Sequence, residues 1–155
     1  MSPWVVHGWF MGTAMHPPMD LWTHGLMDSW TYWSHSVSEI PRVEKPWGYE
    51  IHWAKTDRYV GKIIHINKGH ALSLQYHNKK DETIMLWSGK LLFEIQQDGE
   101  LKKHEVKPGE RFHVTPGTVH RMTAIEDCDV VEVSTPELDD VVRLEDRYGR
   151  SDAKK

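Results

Sequence analysis

GHALSLQYHNKKDETIMLWSG, residues Gly69 to Gly89, is the stretch from which the fold can be read. Ser73, Gln75 and His77 alternate with Leu72, Leu74 and Tyr76. At a two-residue period Gln75 and His77 therefore point to the same side of a sheet. Asn78–Asp81 is a charged turn, and Thr83–Trp87 reads as a strand that can fold back. An antiparallel return predicts Glu82 beside His77, and an amide oxygen, an imidazole and a carboxylate together suit a borderline divalent metal. The simplest reading of Lys79 and Lys80 is a solvated turn.

Outward from this stretch the chain reads as β-structure. Tyr49–Lys55, Tyr59–Ile66, Lys90–Gln96, Leu101–Val106, Arg111–Val114, His120–Ala124 and Asp129–Ser134 are β-rich runs separated by turn signals. Asp98-Gly99 is the strongest hairpin signal among them. About nine short strands at this spacing predict a sandwich or barrel. Glu137–Arg150 is mixed in charge and is expected to cover the mouth of the barrel.

Gly109–Ala124, GERFHVTPGTVHRMTA, places His120 just after a Pro-Gly turn. Together the two stretches resemble the two motifs of the cupin superfamily. The first motif runs Gly, five residues, His, one, His, four, Glu, six, Gly; here these positions are Gly69, Gln75, His77, Glu82 and Gly89. The second keeps Gly109, Gly117 and His120 in place, with Thr115 and Ala124 standing where Pro and Asn are usual. Gln75 in the first histidine's place is similar to the phosphomannose isomerase branch, and to the C-terminal domain of type II mannose-6-phosphate isomerases within it. Lys45-Pro46-Trp47-Gly48-Tyr49-Glu50 and Asp139–Arg150 resemble that family's first and last segments, the closing Glu145-Asp146-Arg147-Tyr148-Gly149-Arg150 being the most specific piece.

The resemblance implies an all-β jelly-roll barrel over residues 41–150, with a five-residue tail at 151–155. It implies one divalent metal ion (Zn, Mn, Ni, Fe or Cu) held by Gln75, His77, Glu82 and His120. It also implies that Arg147 and Arg150 act in catalysis, and that Arg150 binds the phosphate of a sugar phosphate through its two-pronged guanidinium. Arg121, next to His120, is expected to face substrate as well. His113 is a candidate base, with a structural or exposed role as its alternative, and Glu82 released from the metal is another. The reaction implied interconverts mannose 6-phosphate and fructose 6-phosphate through a cis-enediol. Two other readings are a mononuclear copper or iron cupin oxidising a saccharide or glycan, and a sugar-binding cupin without catalysis. The nucleotidyltransferase half that precedes this domain in bifunctional relatives is absent from the sequence, so no guanylyltransferase activity is expected. By the same resemblance a homodimer is expected.

Residues 1–40 read differently. They hold five of the eight tryptophans and five of the seven methionines, yet no Lys or Arg. No helical or alternating period persists through them, and Pro17-Pro18 interrupts any regular element. They are expected to be an irregular extension, even a misassigned translation start. Their alternative role is an aromatic surface in which Trp22, Trp30 and Trp33 stack on sugars.

Composition excludes several partners. A net charge of −4 argues against nucleic acid or a membrane surface. No apolar run approaches the ~20 residues of a membrane span. Cys128 is the single cysteine, so an internal disulfide is impossible and a reducing, cytoplasmic setting is expected. His52, His65, His70 and His104 lie in strands or turns without motif support and read as ordinary polar residues.

Overall fold

Valine and isoleucine at alternate positions with polar residues between them favour strands that bury one face. The computed structural model describes residues 39–150 and has that character throughout. Its strands are β1 (Arg42–Lys45), β2 (Gly48–Lys55), β3 (Val60–Ile66), β4 (Leu74–Tyr76), β5 (Glu82–Ser88), β6 (Leu91–Gln97), β7 (Glu100–Val106), β8 (Arg111–Val114), β9 (His120–Ala124), β10 (Cys128–Ser134) and β11 (Val142–Glu145). The expected aromatic surface at Trp22, Trp30 and Trp33, the remainder of the extension up to residue 38, and the 151–155 tail lie outside the described residues.

The strands form two antiparallel sheets, ordered β1-β2-β3-β10-β5-β8 and β11-β4-β9-β6-β7. Between them lies one apolar core. The six-stranded sheet contributes Ile64, Ile66, Ile84, Leu86 and Val130; the five-stranded sheet contributes Leu91, Phe93, Ile95 and Met122. Phe93 is fully buried and packs on Phe112 with ring centroids 4.8 Å apart. The fold is all-β, as the sequence predicts.

The β6–β7 hairpin closes through two residues, with Gln97 opposite Glu100. Asp98 and Gly99 have φ of 55° and 83°, the left-handed pair that a twist-matched two-residue turn requires. Gly89, the last glycine of the first motif, is constrained differently. A Cβ built on it would lie 2.1 Å from the Asp127 carbonyl oxygen, so only glycine fits where β5 leaves its sheet.

The expected return of β5 alongside β4 is corrected. β4 pairs with β9 and β11, whereas β5 pairs with β10 and β8. The charged turn at 78–81 therefore carries the chain from one sheet to the other. Glu82 meets His77 across the interior of the sandwich, not along a shared ladder. β1 and β11, both rich in charge, go beyond the sequence reading and lie at sheet edges, where charge blocks further pairing.

A candidate metal centre

Three side chains from different elements converge at one end of the core. His77 follows β4, Glu82 opens β5 and His120 opens β9. Their exposures are 1%, 3% and 1%. Glu82 Oε1 lies 3.2 Å from His120 Nε2 and 3.6 Å from His77 Nε2. One ligand atom from each residue falls within 4.8 Å of the other two.

The far nitrogen of each ring is already committed. His120 Nδ1 donates to the Thr118 carbonyl at 3.0 Å, and His77 Nδ1 donates to the Asp140 carbonyl. A neutral imidazole that donates at Nδ1 presents a lone pair at Nε2. Both Nε2 atoms are buried and make no hydrogen bond. Two lone pairs and a carboxylate oxygen thus face one another out of water, an arrangement that a cation placed among them stabilises. The nitrogen and oxygen set fits a borderline divalent ion. Backbone carbonyls behind both rings are the usual means of orienting histidine ligands.

Gln75 stands opposite His120 in the β4–β9 ladder, and its side-chain oxygen accepts from Ser73 Oγ at 2.6 Å. Gln75 and Ser73 both line the cavity beside His77 and Glu82. Of the four ligands anticipated from sequence, His77, Glu82 and His120 come together, and Gln75 lies in the same wall.

The cavity encloses about 220 Å³ and carries a chain of charges that sequence reasoning missed. Lys80 belongs to no solvated turn: its ammonium is buried, bonded to Glu82 Oε2 and, at 2.8 Å, to Glu132 Oε1. Burial alone would favour the neutral amine, but Glu132 and then Glu82 push the Lys80 pKa up to about 12. Lys62 continues the chain, 3.8 Å from Glu132 and 3.5 Å from Glu50. Glu50 in turn meets His52 at 2.8 Å and Lys45 at 3.7 Å.

A signal for these residues was present. Lys62 shares its strand phase with Ile64 and Ile66, and Glu132 shares its phase with Val130 and Cys128. A charge in the apolar phase of a strand marks an inward-facing polar group.

The remaining candidates fall elsewhere. β8 turns Phe112 and Val114 inward, so His113 faces out, 57% exposed, against Asp81 at 2.9 Å. The inward base expected at His113 is thereby corrected. Arg121 is the neighbour of His120 and so points to the opposite face of the five-stranded sheet. There its Nε donates to Glu94 at 2.5 Å and its Nη1 to Glu145 at 2.9 Å. Its expected place beside substrate is also corrected. Arg147 is exposed and donates to the Gly69 carbonyl at 3.2 Å, outside the cavity lining. Arg150 does line the cavity, its guanidinium held by both carboxylate oxygens of Asp146 at 2.6 and 3.1 Å. Arg143 lines it too.

Two antiparallel sheets closed around a buried His-Glu-His cluster define a cupin. Solved structures of the same fold include the capsular polysaccharide assembling protein CapF from Staphylococcus aureus, with a TM-score of 0.58 and 20% identity over 70% of this chain and 35% of that one. Oxalate decarboxylase from Bacillus subtilis matches with a TM-score of 0.61 and 14% identity, over 68% and 30% of the two chains. At such identities the likeness is one of fold. The profile of the mannose-6-phosphate isomerase C-terminal family matches residues 34–146, and the chain belongs to that family. Mannose-1-phosphate guanylyltransferase of Escherichia coli K12 is 34% identical over 116 residues, which are 70% of this chain and 23% of the enzyme. The chain thus spans about a quarter of the length of the curated relatives it matches. None of the described residues forms a helix long and apolar enough to cross a membrane.

Proposed function

We propose that this domain binds one divalent metal ion through His77, Glu82 and His120, with the Gln75 amide oxygen as fourth ligand, and interconverts an aldose and a ketose phosphate. Mannose 6-phosphate and fructose 6-phosphate are the substrates best supported by the family. The observation that carries the reading is the pair of buried, unbonded Nε2 atoms facing Glu82, two of whose three residues, His77 and Glu82, line a cavity of small-molecule size. When bound there, a divalent cation polarises the sugar carbonyl and stabilises the oxyanion that develops from it.

Charge favours an anionic sugar. Lys45, Lys62, Lys80, Arg143 and Arg150 line the cavity against Glu50, Glu82, Glu132 and Asp139, so a dication leaves it clearly positive. Arg150 is the residue we assign to the phosphate, because it lines the cavity and its guanidinium is already held in orientation by Asp146 through Nε and Nη2. At about 220 Å³ the cavity suits one monosaccharide; pockets for larger ligands start at about 300 Å³.

The test is metal analysis of the purified protein followed by a coupled assay on hexose 6-phosphates. About one ion per chain and turnover of mannose 6-phosphate are expected. Metal-loaded protein that turns over no hexose phosphate would rule the isomerase out.

We also assign the expected homodimer to the outer face of the six-stranded sheet. Trp53, Tyr59, Trp87 and Val133 are 46%, 49%, 66% and 46% exposed, a degree of apolar exposure that isolated domains seldom keep. Sedimentation of Trp87→Lys beside wild type tests this, and an unchanged monomer in both would refute it.

A further inference from the structure

We propose that His52, held by Glu50, is the base that carries the proton between the two sugar carbons; the assignment rests on the isomerase reading above. His52 lies on β2 and lines the same cavity as His77 and Glu82. Its Nε2 is 2.8 Å from Glu50 Oε2, and its side chain is 18% exposed, so it is sheltered but reachable. A carboxylate behind one ring nitrogen orients the other toward its target. Among the described residues the His52 ring has no hydrogen-bonding partner besides Glu50, which leaves Nδ1 available to the cavity.

The strand itself is shaped at this point. His52 pairs with Lys62, but the next pair is Ala54 with Gly61, so Trp53 is an extra residue in β2. A bulge of this kind re-aims its neighbours, and bulges are frequent beside active sites. Here Trp53 lies over Gly61 on the outer face, with a Cβ on Gly61 only 2.4 Å from the indole. His52 stays on the inner face opposite Lys62.

Apart from the exposed Asp139, the other proton-accepting groups of the cavity are committed. His77 and Glu82 belong to the metal set, and Glu132 accepts from Lys80 at 2.8 Å. Glu50 is kept ionised: burial would raise its pKa, but Lys62, the His52 hydrogen bond and Lys45 bring it below the ordinary value.

The step balances as follows. The C2–H bond of the aldose breaks, its electron pair becomes part of the C1=C2 bond of the enediol, and the proton goes to His52 Nδ1. His52 returns that proton to C1, while the hydroxyl proton of O2 passes to O1. The ketose forms and His52 is neutral again.

The experiment uses the full chain loaded with metal. Wild type, His52→Ala, His52→Asn and Glu50→Gln are assayed with mannose 6-phosphate, reading kcat, KM, metal content and exchange of the C2 proton into deuterated water. Loss of a base predicts a fall in kcat of roughly 10²–10⁴-fold for both His52 variants. KM and metal content should stay unchanged, proton exchange should fall in parallel, and added imidazole should restore part of the rate to His52→Ala. Glu50→Gln should lower kcat with its metal content intact. A folded, metal-loaded His52 variant within threefold of wild-type kcat would overturn the assignment while the isomerase stands. So would a loss of rate that tracks metal loss and ignores imidazole. A wild type inactive on every hexose phosphate would overturn the isomerase reading and this assignment with it.

Discussion

Asp140 holds His77 and the loop that follows it at the same time. Its carbonyl oxygen accepts from His77 Nδ1, while its carboxylate accepts the backbone N–H groups of Asn78, Lys79 and Lys80 at 3.1, 2.5 and 2.9 Å. These backbone hydrogen bonds, Lys80's first, keep the Asp140 carboxyl far below its ordinary pKa. The segment bearing Arg143 and Arg150 is in this way tied to a candidate metal ligand.

Asp140→Ala keeps the carbonyl that His77 donates to but removes the carboxylate that holds the backbone of residues 78–80, so it should loosen the segment carrying His77 without touching a ligand. Loss of a ligand's own hydrogen-bond partner lowers metal affinity by about 10–100-fold, and this indirect loss should fall at or below the lower end of that range. Competition against a chromophoric chelator measures the affinity; a value equal to wild type would show that the loop holds His77 without help.

Glu132→Ala leaves Lys80 buried with one carboxylate fewer. Breaking a buried pair costs about 3–5 kcal/mol, because the remaining charge is uncompensated. Lys102→Ala removes the exposed partner of Asp98, 3.0 Å away at the surface, where pairs contribute about 0–1 kcal/mol. Urea unfolding of the two variants should separate them clearly. Similar losses would show that Lys80 is not a buried anchor.

Acid should destabilise the fold and moderate alkali should not. Glu50, Glu94 and Asp146 have lowered carboxyl pKa values: burial raises Glu50 but Lys62, His52 and Lys45 together more than reverse it, Arg121 acts first at Glu94, and the hydrogen bonds and charge of Arg150 reverse the effect of burial at Asp146. A lowered carboxyl adds stability above its unfolded pKa, near 4, and loses it as pH falls through the folded value. Lys80 works the other way: its contribution is complete below about 10.5 and fades as pH rises through about 12. Thermal melts of the metal-free protein should fall steeply below about pH 4. A melting temperature constant down to about pH 2.5 would contradict these ion pairs.

Cys128 should be silent toward thiol reagents in the native protein. It is fully buried, and burial, then Asp129 and Asp127, push its thiol up to about 12. The thiolate is the reactive form. Ellman titration should find no thiol before denaturation and one per chain after it; rapid native reaction would show that the core opens.

The intervals of the first motif carried His77 and Glu82 legibly because each lies at the end of a short element, where spacing along the chain translates directly into position. Arg121 and His113 were legible too, had the two-residue period been applied strictly. Arg121 follows the inward His120, and His113 lies between the inward Phe112 and Val114. The charge chain was harder to see. Lys62 and Glu132 pair across β3 and β10, a contact between residues 70 positions apart that only sheet order reveals. Lys80 looks like any turn lysine until Glu132 is known to face it.

The division of the interior between an apolar end, with Phe93, Leu86 and Leu91, and a charged end, with Lys62, Lys80 and Glu132, separates two demands that often conflict. Folding draws on the first and chemistry on the second. Inward side chains near the cavity can then be exchanged for new substrates while the other end keeps the barrel shut, so the scaffold is open to innovation.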